Sequence, residues 1–215
     1  MRNHLIRVSL LTIALAHVGL AQAVEPTIKS SELPKLVQEE QHAIASRRIA
    51  AFFTHSHYKQ IQLDDAFSQK VFALYLESLD YSRNLFLQSD VDGFDTYRRS
   101  LFSGLEKGDL SAVYYIFNQS IQRRYERLSY ALSLLDKPFD FSQPDAYQFD
   151  RKDAPWPKNT AELDELWRQR VKYDALSLKL AGKNDAEIKS LLTKRYQSAI
   201  KRLAQSESED AFMTF

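Results

Sequence analysis

The longest amphipathic pattern in the chain lies at residues 110–135. Its apolar side chains recur three or four residues apart, which is the period of one face of an α-helix. These positions are Leu110, Val113, Tyr114, Phe117, Ile121, Tyr125, Leu128, Leu132 and Leu135. The opposite face is polar, for example at Gln119, Arg123 and Glu126, and Asp109 is a suitable N-cap. The pattern predicts a long helix with one buried side, the spine on which the other helices pack.

Two shorter apolar patterns precede the spine. A loose stripe over residues 31–54 predicts one helix with a partly exposed middle. Asp64 or Asp65 is then an N-cap for a second helix, whose apolar positions fall on one side between Phe67 and Leu79.

The pattern breaks after Asp80, and residues 85–87, Leu-Phe-Leu, resemble a short extended plug. Ser89 followed three residues later by Asp92 predicts the start of a third helix, an acidic variant of the reciprocal cap. The apolar spacing continues to Leu105, so we expect this helix to reach the spine through a short connection.

Residues 136–159 after the spine contain four prolines, which exclude a helix there. The same stretch carries five aromatic side chains and is too apolar for a free linker. We expect an ordered strap laid across the helices, because aromatic side chains usually bury large areas. The alternative is an exposed docking loop in which Trp156 contacts a partner.

Three further capping patterns follow the strap. Asn159 with Glu162, and Asn184 with Glu187, each predict the start of an amphipathic helix. Ser206 with Glu209 is a third box, but too few residues follow it for a helix that is stable without further packing. No sustained strand alternation occurs, so the predicted fold is all-α, a single multi-helix domain of about six helices.

The first 23 residues have the features of a secretory signal: basic Arg2 and Arg7, an apolar core at residues 8–16, and small residues before a cleavage site after Ala23. The mature domain would then be residues 24–215. Cleavage removes two arginines, so Lys+Arg falls from 29 to 27 against 28 Asp+Glu, a net charge of −1. We expect a periplasmic protein, and a balance so close to neutral argues against a nucleic-acid partner.

Several kinds of chemistry lack the residues they require. The sequence has no cysteine, so disulfides, thiol catalysis and a lipid-bearing cysteine are excluded. Five dispersed glycines form no phosphate-binding loop. His55 and His57 could share a metal, but two ligands do not hold zinc. We therefore expect no cofactor and no metal.

One motif matches a catalytic spacing. Ser198 and Lys201 form S-x-x-K, in which a lysine can activate a serine nucleophile. The pair lies in a charged amphipathic pattern without the companion motifs, so we interpret the match as coincidental. The adjacent Asp164 and Glu165 would point in different directions on a helix and form a solvated acidic turn rather than a catalytic pair.

Several separate stretches, taken together, resemble one protein family. They are S-H-Y-K-Q-I-Q-L-D-D-A-F-S at 56–68, Y-L-E-S-L-D-Y-S-R-N-L-F-L-Q-S-D-V at 75–91, R-R-Y-E-R at 123–127, R-K-D-A-P-W-P-K-N at 151–159 and R-L-A-Q-S-E-S-E-D at 202–210. In this order they closely resemble the N-terminal region of bacterial tail-specific proteases, also called carboxy-terminal processing peptidases.

The resemblance implies a periplasmic serine endopeptidase that recognises proteins by their apolar C-terminal tails. In such enzymes a helical N-terminal region precedes a PDZ domain and a protease core with a serine-lysine dyad. The helical parts form a vaulted body and, in relatives, contact a tetratricopeptide-containing lipoprotein adaptor. Neither the PDZ domain nor the dyad is in this sequence, and Ser198 and Lys201 do not correspond to the dyad.

Three hypotheses follow. The first is that the chain is the N-terminal helical domain of a tail-specific protease, a fragment or truncated product that is inactive alone and contacts the remaining domains. The second is a free-standing periplasmic module that docks a partner or adaptor through its aromatic strap and Trp156. The third is a structural remnant with apolar surface exposed where missing domains would pack.

Overall fold

Every regular element in the described part of the chain, residues 26–55 and 64–215 of the computed structural model, is helical. The α-helices are α1 (Glu40–His55), α2 (Asp65–Leu79), α3 (Gln88–Phe94), α4 (Leu101–Lys107), α5 (Ser111–Ser133), α6 (Thr160–Leu180), α7 (Asp185–Ala204) and α8 (Ser208–Thr214). Three single 3-10 turns lie at Ser30–Glu32, Asp95–Tyr97 and Leu134–Asp136. The predicted all-α class is confirmed, with eight α-helices in these ranges instead of about six.

The predicted spine is confirmed as α5, which runs through two apolar cores. Its N-terminal half, including Val113, Ile116 and Ile121, packs with α2, α3, α4 and α8 in what we call the first core. Its C-terminal end, including Ala131 and Leu132, packs with α6 and α7 in the second core. A single amphipathic helix therefore joins both halves of the fold.

The first helix was predicted to start too early. The predicted range was residues 31–54, whereas α1 begins at Glu40. Pro34 restricts the residue before it to extended backbone. The side chain of Asn118 on α5 then binds both backbone groups of Leu36: Oδ1 accepts from the Leu36 N–H at 2.9 Å and Nδ2 donates to the Leu36 carbonyl at 2.8 Å. These bonds hold the segment extended against the spine.

The third predicted helix is split in two, α3 and α4, by the turn at Asp95–Tyr97. At the break, the guanidinium of Arg98 lies 4.9 Å from the ring centre of Phe72. The predicted cap is also wrong: α3 begins at Gln88, and Asp90 rather than Asp92 accepts from the Leu87 N–H, at 2.9 Å.

The residues predicted to cap α2, α6 and α7 are confirmed. Asp64 accepts from the Phe67 N–H at 2.9 Å, and Asn159 from the Glu162 N–H at 3.0 Å. The box at Asn184 is complete in both directions.

Two other predicted helix starts are displaced by one residue. α5 begins at Ser111, whose N–H donates to the Asp109 carboxylate at 3.0 Å, so Asp109 supports the start of the helix without being its N-cap. α8 begins at Ser208 after Glu207, not after Ser206, and Asp210 accepts from the Glu207 N–H at 2.9 Å.

The short helix α8 is held by packing, as its length requires. Ala211 is fully buried, and the Phe215 ring meets the Tyr75 ring edge-on at 5.2 Å. His42 of α1 is 2% exposed, stacks on Phe212 at 4.7 Å and places Nε2 2.8 Å from a carboxylate oxygen of Glu209.

A tyrosine of the spine completes this contact. The Tyr114 hydroxyl donates to the Ser208 carbonyl at 3.0 Å and lies 2.6 Å from Nδ1 of His42. Burial raises the pKa of Tyr114 to about 12, so the hydroxyl remains a hydrogen-bond donor well into the alkaline range. α8 is thereby joined to α1 and α5 by polar as well as apolar contacts.

The ordered strap predicted after the spine is present. Phe139 and Phe141 pack against the second core, and Trp156 packs against the first. In between, the Asp145 carboxylate binds two cations of α6, with Lys172 Nζ at 2.5 Å and Arg168 at 2.9 Å. The strap thus crosses from one core to the other.

The predicted leader, with cleavage after Ala23, lies outside the described residues, and so does His57. Within the described ranges, no helix combines the length and apolar character needed to cross a bilayer.

Candidate functional site

Asp80 organises the region where the two cores meet. It follows the last residue of α2 and is 5% exposed. One carboxylate oxygen accepts from the Asn84 N–H at 2.9 Å, and the other accepts from the N–H groups of Leu85 at 3.2 Å and Phe86 at 3.0 Å. These bonds hold the predicted plug in the absence of a helix or strand. The plug is apolar and non-helical, but its backbone bends at Leu85 and Phe86 and is extended at Leu87.

The same carboxylate holds the end of the strap. The indole N–H of Trp156 donates to Asp80 at 3.1 Å, and the Arg83 guanidinium lies 4.4 Å from the Trp156 ring centre. Arg83 also donates to the Ala154 carbonyl at 2.6 Å. Trp156 is partly buried and carries these structural contacts, while its predicted role in docking a partner stays a prediction.

A cleft of about 680 Å³ lies beside Asp80, between α5, α6, α7, α8 and the C-terminal end of α2. We call it the central cleft. Leu79 and Phe117 line it from the first core, and Leu128 and Trp167 from the second. The indole N–H of Trp167 donates to the Asn84 carbonyl at 2.7 Å, which joins α6 to the plug. The cleft therefore follows the seam between the two halves of the fold.

Three arginines line the central cleft: Arg124 of α5, Arg170 of α6 and Arg202 of α7. Arg124 donates to the Leu79 carbonyl at 2.8 Å, and burial lowers its pKa. The Arg170 guanidinium lies 4.7 Å from the ring centre of Trp167. Arg202 is exposed at the end of α7. The cleft combines an apolar floor with three guanidinium groups, a combination suited to a carboxylate-bearing ligand.

The two carboxylates that line the cleft, those of Asp80 and Asp210, already accept hydrogen bonds from other parts of the domain. Both oxygens of Asp80 accept hydrogen bonds from the plug and from Trp156. Asp210 caps α8 by accepting from the Glu207 N–H. The central cleft therefore combines three guanidinium groups with two carboxylates that already hold other parts of the fold.

The structure does not assemble the S-x-x-K motif into a site. Ser198 and Lys201 are both exposed on α7, and neither lines the central cleft. A serine-lysine dyad requires a shielded amine and oxyanion donors aimed at the reacting carbonyl. Within residues 26–55 and 64–215, no three potential ligands lie close enough to hold a metal ion.

Asp164 and Glu165 were predicted to form a solvated acidic turn on α6, and the prediction is wrong for Asp164. Glu165 is exposed and pairs with Arg168 at 2.7 Å. Asp164 instead accepts from Arg127, an arginine of the spine that is only 7% exposed. Its role is to neutralise a buried charge rather than to form a fully solvated turn.

Sequence reasoning missed Asp80 and the cleft arginines. Asp80 carried a usable signal, because it directly follows the last apolar residue of α2 and precedes an apolar segment without helical period. The arginines carried none, since Arg124, Arg170 and Arg202 come from three helices and meet only through tertiary packing.

Comparison with known proteins gives consistent results. Residues 49–215 match the family model described as the tail specific protease N-terminal domain. The chain is also 42% identical over 211 residues to the tail-specific protease of Haemophilus influenzae. That alignment covers 98% of this chain and 30% of the relative, so the chain spans about a third of the length of the protein it matches. A family model over most of the chain and an all-helical fold agree, and the protein belongs to the tail-specific protease N-terminal domain family.

Proposed function

We propose that this chain is a non-catalytic helical scaffold, the N-terminal part of a longer periplasmic serine endopeptidase. The observation that carries the proposal is the family match over residues 49–215, together with a relative of which this chain covers only 30%. The exposed positions of Ser198 and Lys201 support it, because they are unsuited to a dyad.

The proposal assigns the chemistry to domains outside these residues. By its resemblance to the family, the full enzyme would bind apolar C-terminal tails of protein substrates through a PDZ domain and cut them with a serine-lysine dyad. The helical domain would supply part of the body that surrounds the substrate. A tetratricopeptide-containing lipoprotein adaptor is a candidate partner for its outer surface.

The two cores suit a scaffold. Most large apolar side chains of the spine are buried in one core or the other. Arg127 with Asp164 joins α5 to α6, and Arg195 with Asp174 joins α7 to α6. Such a body resists deformation because both halves share one helix.

The functional test compares three proteins on a substrate with an apolar C-terminal tail: the full-length enzyme, the same enzyme lacking residues 26–215, and this chain alone. We expect tail-dependent cleavage by the full-length enzyme only. Full activity of the deleted enzyme would show that the domain is dispensable and would refute the scaffold role.

Export has its own test. N-terminal sequencing of the protein recovered from the periplasmic fraction should begin at Val24, directly after Ala23. Recovery from the cytoplasm with residues 1–23 retained would contradict the proposed compartment.

A further inference from the structure

The arginines of the central cleft differ from their neighbours in forming no ion pair, although the charge of the Asp80 carboxylate acts on Arg124 from a longer distance. On α5 and α6, Arg123 pairs with Asp90 at 2.8 Å and Arg168 with Asp145 at 2.9 Å. By contrast, Arg124, Arg170 and Arg202 form no ion pair with any residue in the described ranges. The unpaired guanidinium groups from three helices are therefore collected along one seam.

We propose that the central cleft binds an acidic peptide segment with interspersed apolar side chains, and that this segment belongs to the polypeptide following residue 215 in the full-length enzyme. The inference rests on the proposed function for the existence of that polypeptide. It goes further by assigning the contact to one cleft and to one ligand chemistry.

Charge and shape select this class of ligand. A guanidinium group presents a planar fork of donors that matches a carboxylate in two parallel hydrogen bonds. Arg170 is held in place by stacking on Trp167 at 4.7 Å, so it loses little freedom on binding. Between the arginines the floor of the cleft is apolar, formed by the partly buried Leu128 and by the small exposed parts of Leu79 and Phe117. A ligand with carboxylates alone would leave that floor uncovered.

The position of α8 favours a segment of the same enzyme as the occupant. Thr214, the last residue of α8, lines the central cleft, and the adjacent Phe215 is held against Tyr75. Polypeptide continuing past residue 215 therefore starts at the edge of the cleft. The H. influenzae relative, of which this chain covers 30%, has ample length for such a segment. Tethering gives it a local concentration in the millimolar range, which a separate protein would not reach.

The first arm of the test uses the mature chain alone and two synthetic ten-residue peptides, one alternating Glu and Leu and the other alternating Gln and Leu. The two tryptophans give two indole signals in a nitrogen-15 NMR spectrum. The Glu peptide should shift the Trp167 signal several-fold more than the Trp156 signal, because only Trp167 lines the cleft. The Gln peptide should bind at least about tenfold more weakly, which corresponds to ~1.4 kcal/mol.

Variants test the assignment to the cleft. Replacing Arg170 and Arg202 together (R170Q/R202Q) should weaken binding of the Glu peptide by at least about tenfold. Arg48→Gln, at an exposed arginine of α1 outside the cleft, should change it less than about twofold. Absence of Glu-peptide binding, or equal losses in both variants, would overturn the site.

The second arm identifies the occupant by phenylglyoxal modification of arginine, read by mass spectrometry. Arg202 is exposed in this chain and should react at least about fivefold more slowly in the full-length enzyme, while Arg48 should be unchanged. If the peptide binds but Arg202 reacts equally in both proteins, the occupant is not the following polypeptide and that part of the inference is wrong. Because the first arm needs only this chain, it stands or falls independently of the proposed function.

Discussion

At the scale of single residues, one carboxylate has an effect that reaches across the fold. Asp80 binds the plug at Leu85 and Phe86 and the strap at Trp156, which is 76 positions away in sequence. The N–H groups of Leu85 and Phe86 would otherwise be buried without a partner, and each such loss costs about 1–3 kcal/mol. The residue therefore stabilises the junction of the two cores.

Replacing Asp80 by Asn should lower the free energy of unfolding by about 3 kcal/mol, because an amide presents a donor where at least one buried N–H now donates. Urea denaturation followed by circular dichroism measures the change. Asp92→Asn is the matched control: Asp92 is exposed on α3, and within the described residues its carboxylate accepts from the Gln88 side chain alone, at 2.9 Å. Equal, small effects of both changes would contradict the role given to Asp80.

Residue-scale features divide into those that the sequence predicts and those that it does not. The caps at Asp64, Asn159 and Asn184 were predictable because a cap depends on three or four consecutive residues. The pairing of Arg127 with Asp164 was not predictable, since it joins positions 37 apart on two different helices. Local chemistry can be read from spacing, but contacts between distant residues require the packing to be known.

At the scale of elements, the spine was the most predictable feature because its period is sustained over six turns. The third helix was mispredicted for the complementary reason. Its apolar spacing continues through the break. Arg98 contacts both Asp95 and Phe72 at the turn Asp95–Tyr97, and apolar spacing reports neither contact. For the first helix, Pro34 was a local signal against helix at Leu33, but the contact of Asn118 with Leu36 could not be read from the sequence.

The contribution of the strap to the stability of the folded state should fall at acidic pH. Hydrogen bonds from Arg168, and then from Lys172, lower the pKa of Asp145 to about 2, from 3.8. A lowered pKa means that the carboxylate stabilises the folded state fully above pH 3.8 and loses that effect as the pH falls towards 2. The stability difference between the native chain and Asp145→Asn should be constant above about pH 4 and should shrink towards pH 2.

Chemical denaturation at a series of pH values measures this difference. Asp153→Asn changes an exposed carboxylate of the same strap and should not reproduce the profile. A difference for Asp145→Asn that grows on acidification would have the wrong sign and would exclude the two cations as the cause.

α8 should unfold locally, without the rest of the domain, when its contacts with His42 are removed. His42→Ala removes the ring that stacks on Phe212 and contacts both Glu209 and Tyr114. Hydrogen exchange should then accelerate by at least about tenfold at the α8 amides, with little change in α6 and α7, because those helices belong to the second core.

His55→Ala, at the exposed end of the same helix α1, is the control and should leave exchange in α8 unchanged. Uniform acceleration in every helix of the His42 variant would show instead that the contact supports the whole domain.

At the scale of the whole molecule, fold class and family were predictable from the sequence, and the internal division was not. The amphipathic periods and the absence of strand alternation predict an all-helical chain, and the motif order indicates the family. No signal in the sequence shows that α5 spans two cores with a cleft along their seam. That arrangement depends on which helix faces meet, such as Phe117 in one core and Trp167 in the other.

We propose that these residues form a scaffold and that the catalytic groups of the full-length enzyme lie in its other domains. The most direct measurement incubates the purified mature chain with a protein that has an apolar C-terminal tail and follows the intact substrate by mass spectrometry. We expect no cleavage by this chain under conditions in which the full-length enzyme degrades the substrate. Tail-dependent cleavage by the chain alone, abolished by Ser198→Ala, would contradict this proposal.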